Sequence, residues 1–474
     1  MITDTVCRLC SSCCPIEAEV RDNRLIRAWR TSFLDPDKRL PCAKLAAAPE
    51  IVYSPLRLTR PLIRDHRNAE FREAGWDEAL DRVADLMRQH RERSGARSVA
   101  WLRGMAADWG APWDYPNRLM HGFGSPNTIG NGSICFVGRE FAHTCTYGSM
   151  AFPEAKNAKL IIVWGKNDGN TALGAAEAIH WAREHGARLV VIDPVRTQLA
   201  RKADLWLPIR PGHDGLLAMA MIHEIISQGL FDRDFVANHT VGFDQLKEVA
   251  ARYPAERVAA ELWLEPEQIR DLARSYATFK PASIIDGNGL DMHREMFDTT
   301  RAIAMLRALT GNLDKPGGDV LPQPVPVRNI QLRERLPAEV EPVTRDFALF
   351  NTFSETWGNQ MQGCVVDAML DHRPYPVEMV VVQSGNPVVT MADTTRTRRA
   401  FAAVAHLVVI DLFMNETARM ADIVLPAASC FEKTQLNRAS IRNNPMFLQN
   451  AVIEPVGESW PDWRIVFELG RRLG

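Results

Sequence analysis

Two short apolar runs, each followed by a turn-rich stretch, form the clearest pattern along the chain. Leu160–Trp164 and Met379–Val382 have the length and unbroken apolar character of strands buried in a parallel sheet. Residues that favour turns follow both runs, namely Gly165, Asn167, Ser384, Gly385 and Asn386. The pattern therefore predicts two buried strands that each end in a polar turn.

The segment after the first turn is rich in alanine and predicts a helix. Residues 171–186 read TALGAAEAIHWAREHG, in which Gly186 is a suitable C-terminal stop. Another apolar run, LVVID, follows at 189–193 and recurs at 407–411. Strand, helix and strand in this order predict an α/β fold.

The LVVID run belongs to an internal repeat. Residues 189–208 (LVVIDPVRTQLARKADLWLP) align without a gap with residues 407–426 (LVVIDLFMNETARMADIVLP). The identical positions include Asp193 and Asp411, Ala200-Arg201 and Ala418-Arg419, Ala203-Asp204 and Ala421-Asp422, and Pro208 and Pro426. Upstream, LIIVWGKNDGNT at 160–171 is similar to MVVVQSGNPVVT at 379–390. The chain therefore contains two copies of one structural unit, far enough apart to be separate domains.

Each copy places an acid at the carboxyl end of a predicted strand. Doubly wound sheets bind nucleotides at that end, where Asp193 and Asp411 could bond ribose hydroxyls. One copy alone would favour ordinary core strands that end at surface acids. Two matched copies favour a paired nucleotide-binding architecture. Neither copy carries the full G-x-G-x-x-G fingerprint, so the sequence gives little support for ordinary NAD binding.

Composition narrows the class of protein without indicating an activity. A length of 474 residues predicts about three domains, and the net charge of −2 gives no reason to expect nucleic acid or an anionic membrane as partner. No apolar stretch approaches the ~18–20 residues that span a bilayer. The N-terminus has neither a signal-peptide pattern nor a twin-arginine motif. The initiating methionine favours a cytoplasmic protein over one that has lost a leader.

Four cysteines near the N-terminus predict a redox centre. Cys7, Cys10 and Cys14 have the spacing C-x2-C-x3-C, and Cys42 follows after a gap of 27 residues. Three thiolates in one tight loop, completed by a distant fourth, are typical of a [4Fe–4S] cluster.

Other interpretations of the cysteines fit less well. Zinc sites usually use two separated C-x2-C pairs, and disulfide frameworks suit short secreted chains. The ferredoxin run C-x2-C-x2-C-x3-C-P fails, because Pro15 follows Cys14 directly and no fourth cysteine comes soon enough. Cys13 fits the third position of that run, but we interpret it as a bystander. Three cysteines without motif support are interpreted as core thiols: Cys145, Cys364 and Cys430.

Taken in order, several segments resemble the molybdopterin oxidoreductases of the dimethyl-sulfoxide-reductase superfamily. That group includes formate dehydrogenases, nitrate reductases, and polysulfide and thiosulfate reductases. Besides the cysteines, the similar segments are YSPLRLTRPL (53–62), FGSPNTIGNGSIC (123–135), WGKNDGNT (164–171), VVIDPVRT (190–197), PIRPGHDG (208–215), GNGLDMH (287–293), RAIAMLRALTGNLDKPGG (301–318), SGNP (384–387) and NETARMADIVLPA (415–427). The resemblance covers essentially the whole chain.

The resemblance implies a cofactor of one Mo or W ion held by two molybdopterin guanine dinucleotides, with one [4Fe–4S] cluster. It also explains the repeat, because two similar ligands call for two similar sites about a pseudo-two-fold axis. The expected fold is α/β, with a small N-terminal [4Fe–4S] domain and two related doubly wound dinucleotide-binding domains. Their expected bounds are 1–60 with a return segment near 421–460, 61–134 with 338–474, and 135–337.

Cys135 is the metal ligand that the resemblance implies, since a soft thiolate suits Mo or W. A lone cysteine would otherwise be interpreted as a buried free thiol, and Ser133 is the alternative ligand. Phe136 stands where formate dehydrogenases typically carry histidine, which argues against formate and favours the branch that acts on polysulfide, thiosulfate or arsenic oxyanions. Lys44 is expected between the cluster and the nearer pterin; without the motif it would be a solvated surface lysine.

The resemblance assigns the remaining candidates mainly to the two dinucleotides. Asp214 is expected to accept two N–H bonds from one guanine, although its segment would form a turn in any case. Asp193 and Asp411 are the ribose candidates. The other loop residues expected to bind cofactor are Trp164, Gly165, Asn167, Thr171, Pro194, Thr197, Gly212, Gly385, Asn386, Glu416 and Thr417. His143 and His293 are candidates for proton transfer by their pKa range, against the alternative of structural or exposed histidines.

The implied activity is two-electron redox at the metal, with electrons relayed through the cluster to an external carrier. The substrate is expected to be a small oxyanion, a sulfur compound or formate. A non-redox hydratase, or a metal-free electron-transfer or structural subunit, is the alternative. Expected partners are an iron–sulfur, diaphorase or other electron-carrier subunit. Because such proteins usually continue into a domain that caps both dinucleotides, the chain is expected to be a truncated gene product, a fragment, or a subunit whose capping domain is a separate polypeptide.

Overall fold

A computed structural model describes residues 1–10, 12–104, 111–321, 323, 325–347, 362–438 and 446–474. The chain divides into two compact units: unit 1 comprises residues 1–133 and 324–474, and unit 2 comprises residues 134–323. None of the helices in the described ranges has both the length and the apolar composition needed to cross a membrane.

Strands run through both units. In chain order they are β1 (Ile2–Val6), β2 (Pro15–Arg21), β3 (Arg24–Thr31), β4 (Arg39–Leu40), β5 (Leu62–Ile63), β6 (Arg72–Glu73), β7 (Val99–Arg103), β8 (Thr128–Ile129), β9 (Phe152–Pro153), β10 (Leu160–Trp164), β11 (Arg188–Ile192), β12 (Leu205–Leu207), β13 (Ala282–Asp286), β14 (Asp319–Val320), β15 (Met379–Gln383), β16 (His406–Asp411), β17 (Ile423–Pro426), β18 (Gln435–Arg438) and β19 (Met446–Gln449).

The α-helices lie between these strands, singly or in runs, and five of them follow one another between β12 and β13. They are α1 (Ala43–Ala46), α2 (Ala48–Val52), α3 (Trp76–Ser94), α4 (Ala111–Phe123), α5 (Val137–Tyr147), α6 (Asp168–Thr171), α7 (Leu173–Glu184), α8 (Asp214–Ser227), α9 (Arg233–His239), α10 (Phe243–Ala250), α11 (Ala255–Leu262), α12 (Pro266–Thr278), α13 (Met296–Leu309), α14 (Gln362–Leu370), α15 (Pro387–Thr390), α16 (Thr394–Ala403), α17 (Glu416–Met420) and α18 (Asp462–Leu473). The mixed α/β class predicted from the sequence is confirmed.

The main sheet of unit 2 is parallel, with the strand order β12-β11-β10-β13, and a small antiparallel sheet pairs β9 with β14. All five residues of β10 are buried, because helices cover both faces of the sheet. The strand predicted at Leu160–Trp164 is confirmed with the same bounds. The predicted helix is also present: α7 ends at Glu184, and Gly186 follows with φ +90°. Glycine adopts this left-handed conformation without a Cβ penalty and so stops the helix.

The main sheet of unit 1 contains the same arrangement. Its strand order is β6-β5-β17-β16-β15-β7-β8, in which β17, β16, β15, β7 and β8 are parallel and β5 and β6 are antiparallel. The order β17-β16-β15-β7 corresponds to β12-β11-β10-β13 of unit 2. The predicted strand at Met379–Val382 is present and extends to Gln383. The repeat in the sequence therefore corresponds to three strands in the same order, β12-β11-β10 and β17-β16-β15. The fourth strand differs in chain order, since β13 follows β12 whereas β7 precedes β15.

A separate antiparallel sheet, β1-β2-β3-β4, forms the N-terminal part of unit 1. Residues from near the other end of the chain pack on it, including Phe431 and Ile453. The hydroxyl of Thr5 donates a 2.8 Å hydrogen bond to the carbonyl of Asn450 and accepts one of 3.0 Å from its amide. Residues 439–445 of the predicted return segment lie outside the described residues, but its described parts contact this sheet.

A buried ion pair joins the segment after α2 to the described part of the return segment. The Arg57 Nη2 atom lies 2.7 Å from Glu432 Oε2, and both side chains are inaccessible to solvent. The carboxylate of Glu432 also accepts hydrogen bonds from the amides of Ser429 (2.6 Å) and Val456 (2.7 Å). Such charge-assisted bonds, made in a buried site, hold the segment in one position.

Candidate functional site

The four predicted cluster cysteines lie around one end of the N-terminal sheet. Cys7 follows β1 and Cys14 precedes β2, and the amide of Cys7 donates a 2.9 Å hydrogen bond to the carbonyl of Cys14. Cys42 lies between β4 and α1. Burial raises the pKa of the Cys14 thiol to about 12, and the nearby Cys10 and Cys42 thiols contribute to the increase. The fold thus brings Cys10 and Cys42 within electrostatic reach of Cys14.

The thiol of Cys7 belongs to the same group. Burial raises its pKa above the ordinary range, and Cys430, Cys14 and Cys10 add to the shift. In the described parts of the chain, no three His, Cys, Asp or Glu side chains are placed to hold a single metal ion. Cysteine ligands of a cluster must lose their protons, so loading at neutral pH would release protons from these thiols.

Two buried arginines lie beside the cysteines and favour their thiolate forms. Arg8 donates a hydrogen bond from Nη1 to the sulfur of Cys13, which is itself buried and has φ +49°. Arg30 lies next to the sulfur of Cys14 and acts to lower its pKa. Two positive charges in a buried site would offset the negative charge of a thiolate-bound cluster. The cysteine motif contains Arg8 but does not reveal Arg30, which comes from β3.

The interpretation of three further cysteines as core thiols is confirmed for two of them. Cys364 and Cys430 are buried. Cys145 is exposed, so the prediction is wrong for that residue, which lies near the solvent-facing C-terminal end of α5. Cys430 also lies close enough to Cys7 to raise the pKa of its thiol, a relationship that no local spacing could have shown. Lys44 lies on α1 with an exposed side chain.

In unit 2, the candidate dinucleotide loops gather at the carboxyl ends of β10 and β13. The indole Nε1 of Trp164 donates a 2.8 Å hydrogen bond to Oδ1 of Asp214, the first residue of α8. Burial raises the pKa of the Asp214 carboxyl, and the nearby His293 acts to lower it. Gly165 has φ +59°, and a Cβ there would lie 3.3 Å from Cα of Gly289. The loop therefore needs glycine both for its conformation and for the close approach of the two segments.

Several buried polar atoms of these loops have no hydrogen-bond partner among the described residues. They are Oδ1 of Asn167, both carboxylate oxygens of Asp168, and both ring nitrogens of His293. Asp168 is fully buried, and its nearest cation is Nζ of Lys166 at 3.3 Å. Buried polar groups are normally satisfied in folded proteins. A polar ligand with donors and acceptors would satisfy this set, so the residues present fit a nucleotide-like cofactor.

Other predicted loop residues in unit 2 have structural hydrogen bonds. The hydroxyl of Thr171 donates to the carbonyl of Asn167 (2.9 Å), and that of Thr197 accepts from the amide of Ala200 (3.1 Å). Asp193 accepts a 2.8 Å bond from the amide of Val195, and burial raises the pKa of its carboxyl. Pro194 continues this turn, and Gly212, with φ +79°, lies in open space before α8. These residues shape the loops whether or not they also contact a ligand.

In unit 1, the corresponding loop after β15 is hydrogen-bonded to the first two residues of α17. Oδ1 of Asn386 accepts hydrogen bonds from the amide (3.2 Å) and hydroxyl (2.8 Å) of Thr417, and its Nδ2 donates to Glu416 (2.6 Å). A Cβ at Gly385 would lie 3.2 Å from Cα of Gly104, so two strand ends approach closely there. Burial raises the pKa of Asp411 to about 6.

A buried ion pair lies next to this loop and was not identified from the sequence. Nζ of Lys433 is 2.7 Å from Oδ2 of Asp462, and both side chains are 3% exposed. The other oxygen of Asp462 accepts a 3.1 Å hydrogen bond from Gln383 Nε2, at the end of β15. Gln383 in turn accepts from the indole of Trp101 (3.1 Å). This network supports the end of the strand that presents Ser384 and Gly385.

Cys135 lies immediately before α5 and is partly exposed. Burial raises the pKa of its thiol, and the side chain of Asn288 acts to lower it. A short 3₁₀ turn, Gly132–Ile134, precedes it, and Phe136 is the N-cap of the helix. The thiol is therefore partly exposed at the N-terminal end of a helix.

A buried network of ion pairs involves α5, the helix that begins two residues after Cys135. Asp286, at the end of β13, pairs with Arg139 on α5 (3.2 Å) and with Arg307 on α13 (2.8 Å). Arg307 also lies 2.5 Å from Asp319. The two guanidinium groups hold the pKa of Asp286 well below its usual range despite its burial. The sequence showed no signal for this network, because its members come from four separate elements.

His143 belongs to that network. Its side chain is fully buried, with Nε2 3.3 Å from Oδ2 of Asp286 and Nδ1 accepting a 3.3 Å bond from the amide of Ala151. Burial lowers the pKa of the ring to about 4, so the imidazole is neutral at pH 7. The structure thus places His143 among buried charges, about two helical turns beyond Cys135.

Unit 2 also contains an apolar cavity of about 880 Å³. It is lined by parts of α9, α10 and α13 and by the C-terminal end of α5, with Phe235, Leu246 and Met305 among its apolar residues. None of the candidate cofactor residues lines it, so it is distinct from the loops described above.

Comparison with known proteins identifies the family. The family model described as molybdopterin oxidoreductase matches residues 57–472. The F420-dependent formate dehydrogenase subunit alpha of Methanocaldococcus jannaschii is 29% identical over all of this chain, which covers 70% of that protein. The thiosulfate reductase molybdopterin-containing subunit PhsA of Salmonella typhimurium is 27% identical, with 100% of this chain and 64% of that protein covered.

A solved structure is also similar over nearly the whole chain. The acetylene hydratase from Pelobacter acetylenicus superposes with a TM-score of 0.90 at 27% identity, covering 99% of this chain and 69% of that one. The family match and this similarity confirm the resemblance inferred from the motifs. This protein therefore belongs to the molybdopterin oxidoreductase family of enzymes.

Proposed function

We propose that this chain is the catalytic subunit of a Mo- or W-dependent oxidoreductase that relays electrons through one [4Fe–4S] cluster. The observation that carries the proposal is a complete set of thiol donors: Cys7, Cys10, Cys14 and Cys42 are grouped in unit 1, and a partly exposed Cys135 precedes α5 in unit 2. A scaffold that had lost its metals would have no need of both sets. The family implies a molybdenum or tungsten molybdopterin cofactor.

Each repeated unit would hold one guanine dinucleotide. In unit 2 the unpartnered atoms of Asn167 and His293 and the unpaired Oδ2 of Asp168 support binding beside Trp164 and Asp214. In unit 1 the loop of Gly385 and the segment of Asp411, Glu416 and Thr417 would hold the second. When bound, the cofactor supplies two-electron redox chemistry at the metal. The chain itself would position the ligand, exclude water and bind the metal through Cys135.

We propose domain bounds that separate the cluster site from the two dinucleotide sites. Residues 1–60 and a return segment near 421–460 would form the cluster domain, as the contacts of Thr5 with Asn450 support. The two dinucleotide-binding domains would take residues 61–134 with 338–474, and 135–337. The matching strand orders of the two sheets support their relationship.

The substrate we favour is a small oxyanion or sulfur compound. Phe136 follows Cys135 and can neither accept nor donate a proton, so this position cannot assist proton removal from formate. One relative is a thiosulfate reductase subunit and another a formate dehydrogenase subunit, so both compounds belong in the test. Because these relatives are named as alpha or molybdopterin-containing subunits, we also propose an electron-carrier partner.

A non-redox hydratase is the second candidate, and one observation supports it. The solved structure with a TM-score of 0.90 is an acetylene hydratase, so this scaffold is compatible with hydration. In either candidate function, Lys44 would lie between the cluster and the nearer pterin, and His143 and His293 would be the candidates for proton transfer.

The test is to produce the protein anaerobically in a host that makes molybdopterin and in one that does not. We expect about four iron atoms per chain from both hosts and one Mo or W ion with two guanine dinucleotides from the first. Dye-linked turnover is then measured with polysulfide, thiosulfate, nitrate, arsenic oxyanions and formate. Protein that contains iron but neither Mo nor W would support the alternative of an electron-transfer or structural subunit without the Mo or W ion. Loaded protein that is silent in every redox assay but hydrates acetylene would support the hydratase.

A further inference from the structure

The loops that follow β10 and β15 have the same backbone conformation in the two units. Gly165 and Ser384 both have positive φ, at +59° and +52°. Their amides donate 2.9 Å hydrogen bonds to the carbonyls of Ile192 and Ile410, which end or nearly end the neighbouring strands. A four-residue helix follows each loop, α6 in unit 2 and α15 in unit 1. The two loops can therefore be compared position by position.

The two loops differ in charge. Lys166 and Asp168 of unit 2 stand at the positions that Gly385 and Pro387 occupy in unit 1. Nζ of Lys166 lies 3.3 Å from Oδ1 of Asp168. The Asp168 side chain is fully buried, whereas 28% of the Lys166 side chain is exposed. The unit 2 loop therefore carries a partly exposed ammonium group that the unit 1 loop lacks, and a buried carboxylate holds that group beside the loop.

The stem of Lys166 is confined by the loop that follows β13. A Cβ built at Gly287 would clash with Cβ of Lys166 and with the carbonyl oxygen of Gly165. The lack of a side chain at Gly287 thus allows the two loops to approach each other. Because its stem is confined and its ammonium group is paired, Lys166 has little conformational freedom left to lose when its charge binds a ligand.

The unit 2 loop also has acceptors that the protein leaves unsatisfied. Oδ1 of Asn167 and Oδ2 of Asp168 are buried and have no hydrogen-bond partner among the described residues. In unit 1, Oδ1 of Asn386 accepts from the amide and the hydroxyl of Thr417. Leu199 stands at the position of Thr417 in unit 2, and its side chain has no donor. The protein thus completes the unit 1 loop, whereas polar groups of the unit 2 loop are left for a ligand.

We propose that Lys166 is a phosphate-binding residue of the unit 2 site and has no counterpart in the unit 1 loop. The inference rests on the proposed function, in which each unit holds one guanine dinucleotide. The diphosphate of such a ligand is anionic, and nucleotides bind at the carboxyl ends of parallel strands, where this loop lies. An ammonium group binds phosphate as a point charge. It has three donors, so Nζ can bind a phosphate oxygen while it remains paired with Asp168.

The first experiment maps Lys166 in the wild-type protein by acetylation. Full-length protein from the host that does not make molybdopterin is acetylated briefly with and without guanosine diphosphate, and each lysine is quantified by peptide mass spectrometry. With the ligand at about ten times its dissociation constant, we expect acetylation of Lys166 to slow about tenfold. Guanosine, which has no phosphate, should leave Lys166 reactive. Lys247, exposed on α10, is the control and should react equally in all samples.

Two variants test whether the charge of Lys166 carries the effect. Lys166→Gln keeps a donor for Asp168 but loses the charge. For one of the two bound ligands, we expect it to lower the preference for guanosine diphosphate over guanosine about tenfold. Lys166→Arg keeps the charge and should retain the preference, and Lys247→Gln should change neither affinity. A merely structural role would weaken both ligands equally. Equilibrium dialysis measures the dissociation constants; should Lys166→Gln fail to fold, as judged by its melting curve, acetylation of the wild type carries the test.

The loaded protein provides a readout besides activity. Chains that carry two guanine dinucleotides should show the same protection of Lys166 from acetylation. Equal acetylation of Lys166 with and without guanosine diphosphate, or an unchanged preference in Lys166→Gln, would overturn the proposal. Protection of Lys166 by guanosine diphosphate in a chain that acquires neither dinucleotide nor Mo or W, even in the host that makes molybdopterin, would leave the phosphate site established and overturn the proposed function instead.

Discussion

Asp204 and Asp422 make the same hydrogen bond in the two units. Oδ2 of Asp204 accepts from the amide of Leu189 at 2.7 Å, and Oδ2 of Asp422 accepts from the amide of Leu407 at 2.7 Å. The return bonds also match, from the amide of each aspartate to the carbonyl of the same leucine, at 2.9 and 2.8 Å. Each aspartate thus links the start of one strand to the start of the neighbouring strand. These two repeated residues therefore stabilise the sheet rather than bind a ligand.

The two aspartates should differ in their effect on stability. Asp422 is buried, whereas the Asp204 side chain is 43% exposed, so water can replace its bond more readily. We expect Asp422→Ala to lower the free energy of unfolding by about 1–3 kcal/mol and Asp204→Ala by clearly less. Denaturant unfolding of both variants measures the difference. Asp422→Asn keeps an acceptor and is the control; equal losses for the two alanine variants would contradict the argument.

Cys13 and Cys14 should respond oppositely to replacement. The sulfur of Cys13 is engaged by Arg8, while Cys14 lies in reach of Cys10 and Cys42. We expect Cys13→Ser to retain the [4Fe–4S] signal and Cys14→Ser to lose or distort it. Electron paramagnetic resonance of the reduced proteins, together with iron analysis, measures this. The reverse pattern would show that Cys13 is the ligand.

The buried His143 should make stability depend on pH in a defined window. Its pKa is lowered to about 4, below that of the unfolded chain near 6.5, so the folded state binds fewer protons between these values. The stability it contributes is complete above about pH 6.5 and is lost as the pH falls towards 4, by up to about 3 kcal/mol. His143→Gln cannot titrate, so its unfolding free energy should fall less over this window. Parallel curves for the two proteins, measured by denaturant unfolding, would refute the assignment.

Asp214 should matter for cofactor content more than for folding. One of its oxygens accepts from Trp164, and an asparagine could keep that bond while losing the second acceptor needed to pair with guanine. We expect Asp214→Asn to reduce bound guanine dinucleotide about tenfold, with little change in melting temperature. Asp234→Asn, on the surface helix α9, is the matched control. Dinucleotide is quantified as guanosine monophosphate released by acid; full retention in Asp214→Asn would exclude a role in guanine binding.

Local sequence patterns predicted many of the strands, helices and loops of this protein. The run Leu160–Trp164 forms the strand that its apolar character predicts, and the stop at Gly186 follows from the backbone freedom of glycine. The repeat predicted two related units because matching aspartates, glycines and asparagines occur in the same order in both copies. Asn167 and Asn386 indeed have nearly the same backbone angles, with φ −123° and ψ 68° against φ −124° and ψ 64°.

Only the tertiary structure decided which distant groups meet. The pairing of Arg139 with Asp286 and Asn288, the burial of His143, and the approach of Cys430 to Cys7 join elements that are far apart in the chain. Periodicity and spacing along the chain cannot predict such contacts. The partner of a buried charge belongs to an element that is distant in sequence and meets it only when the chain folds. The sequence thus identified the candidate ligands and the loops, and the fold supplied the buried charges that set their protonation and orientation.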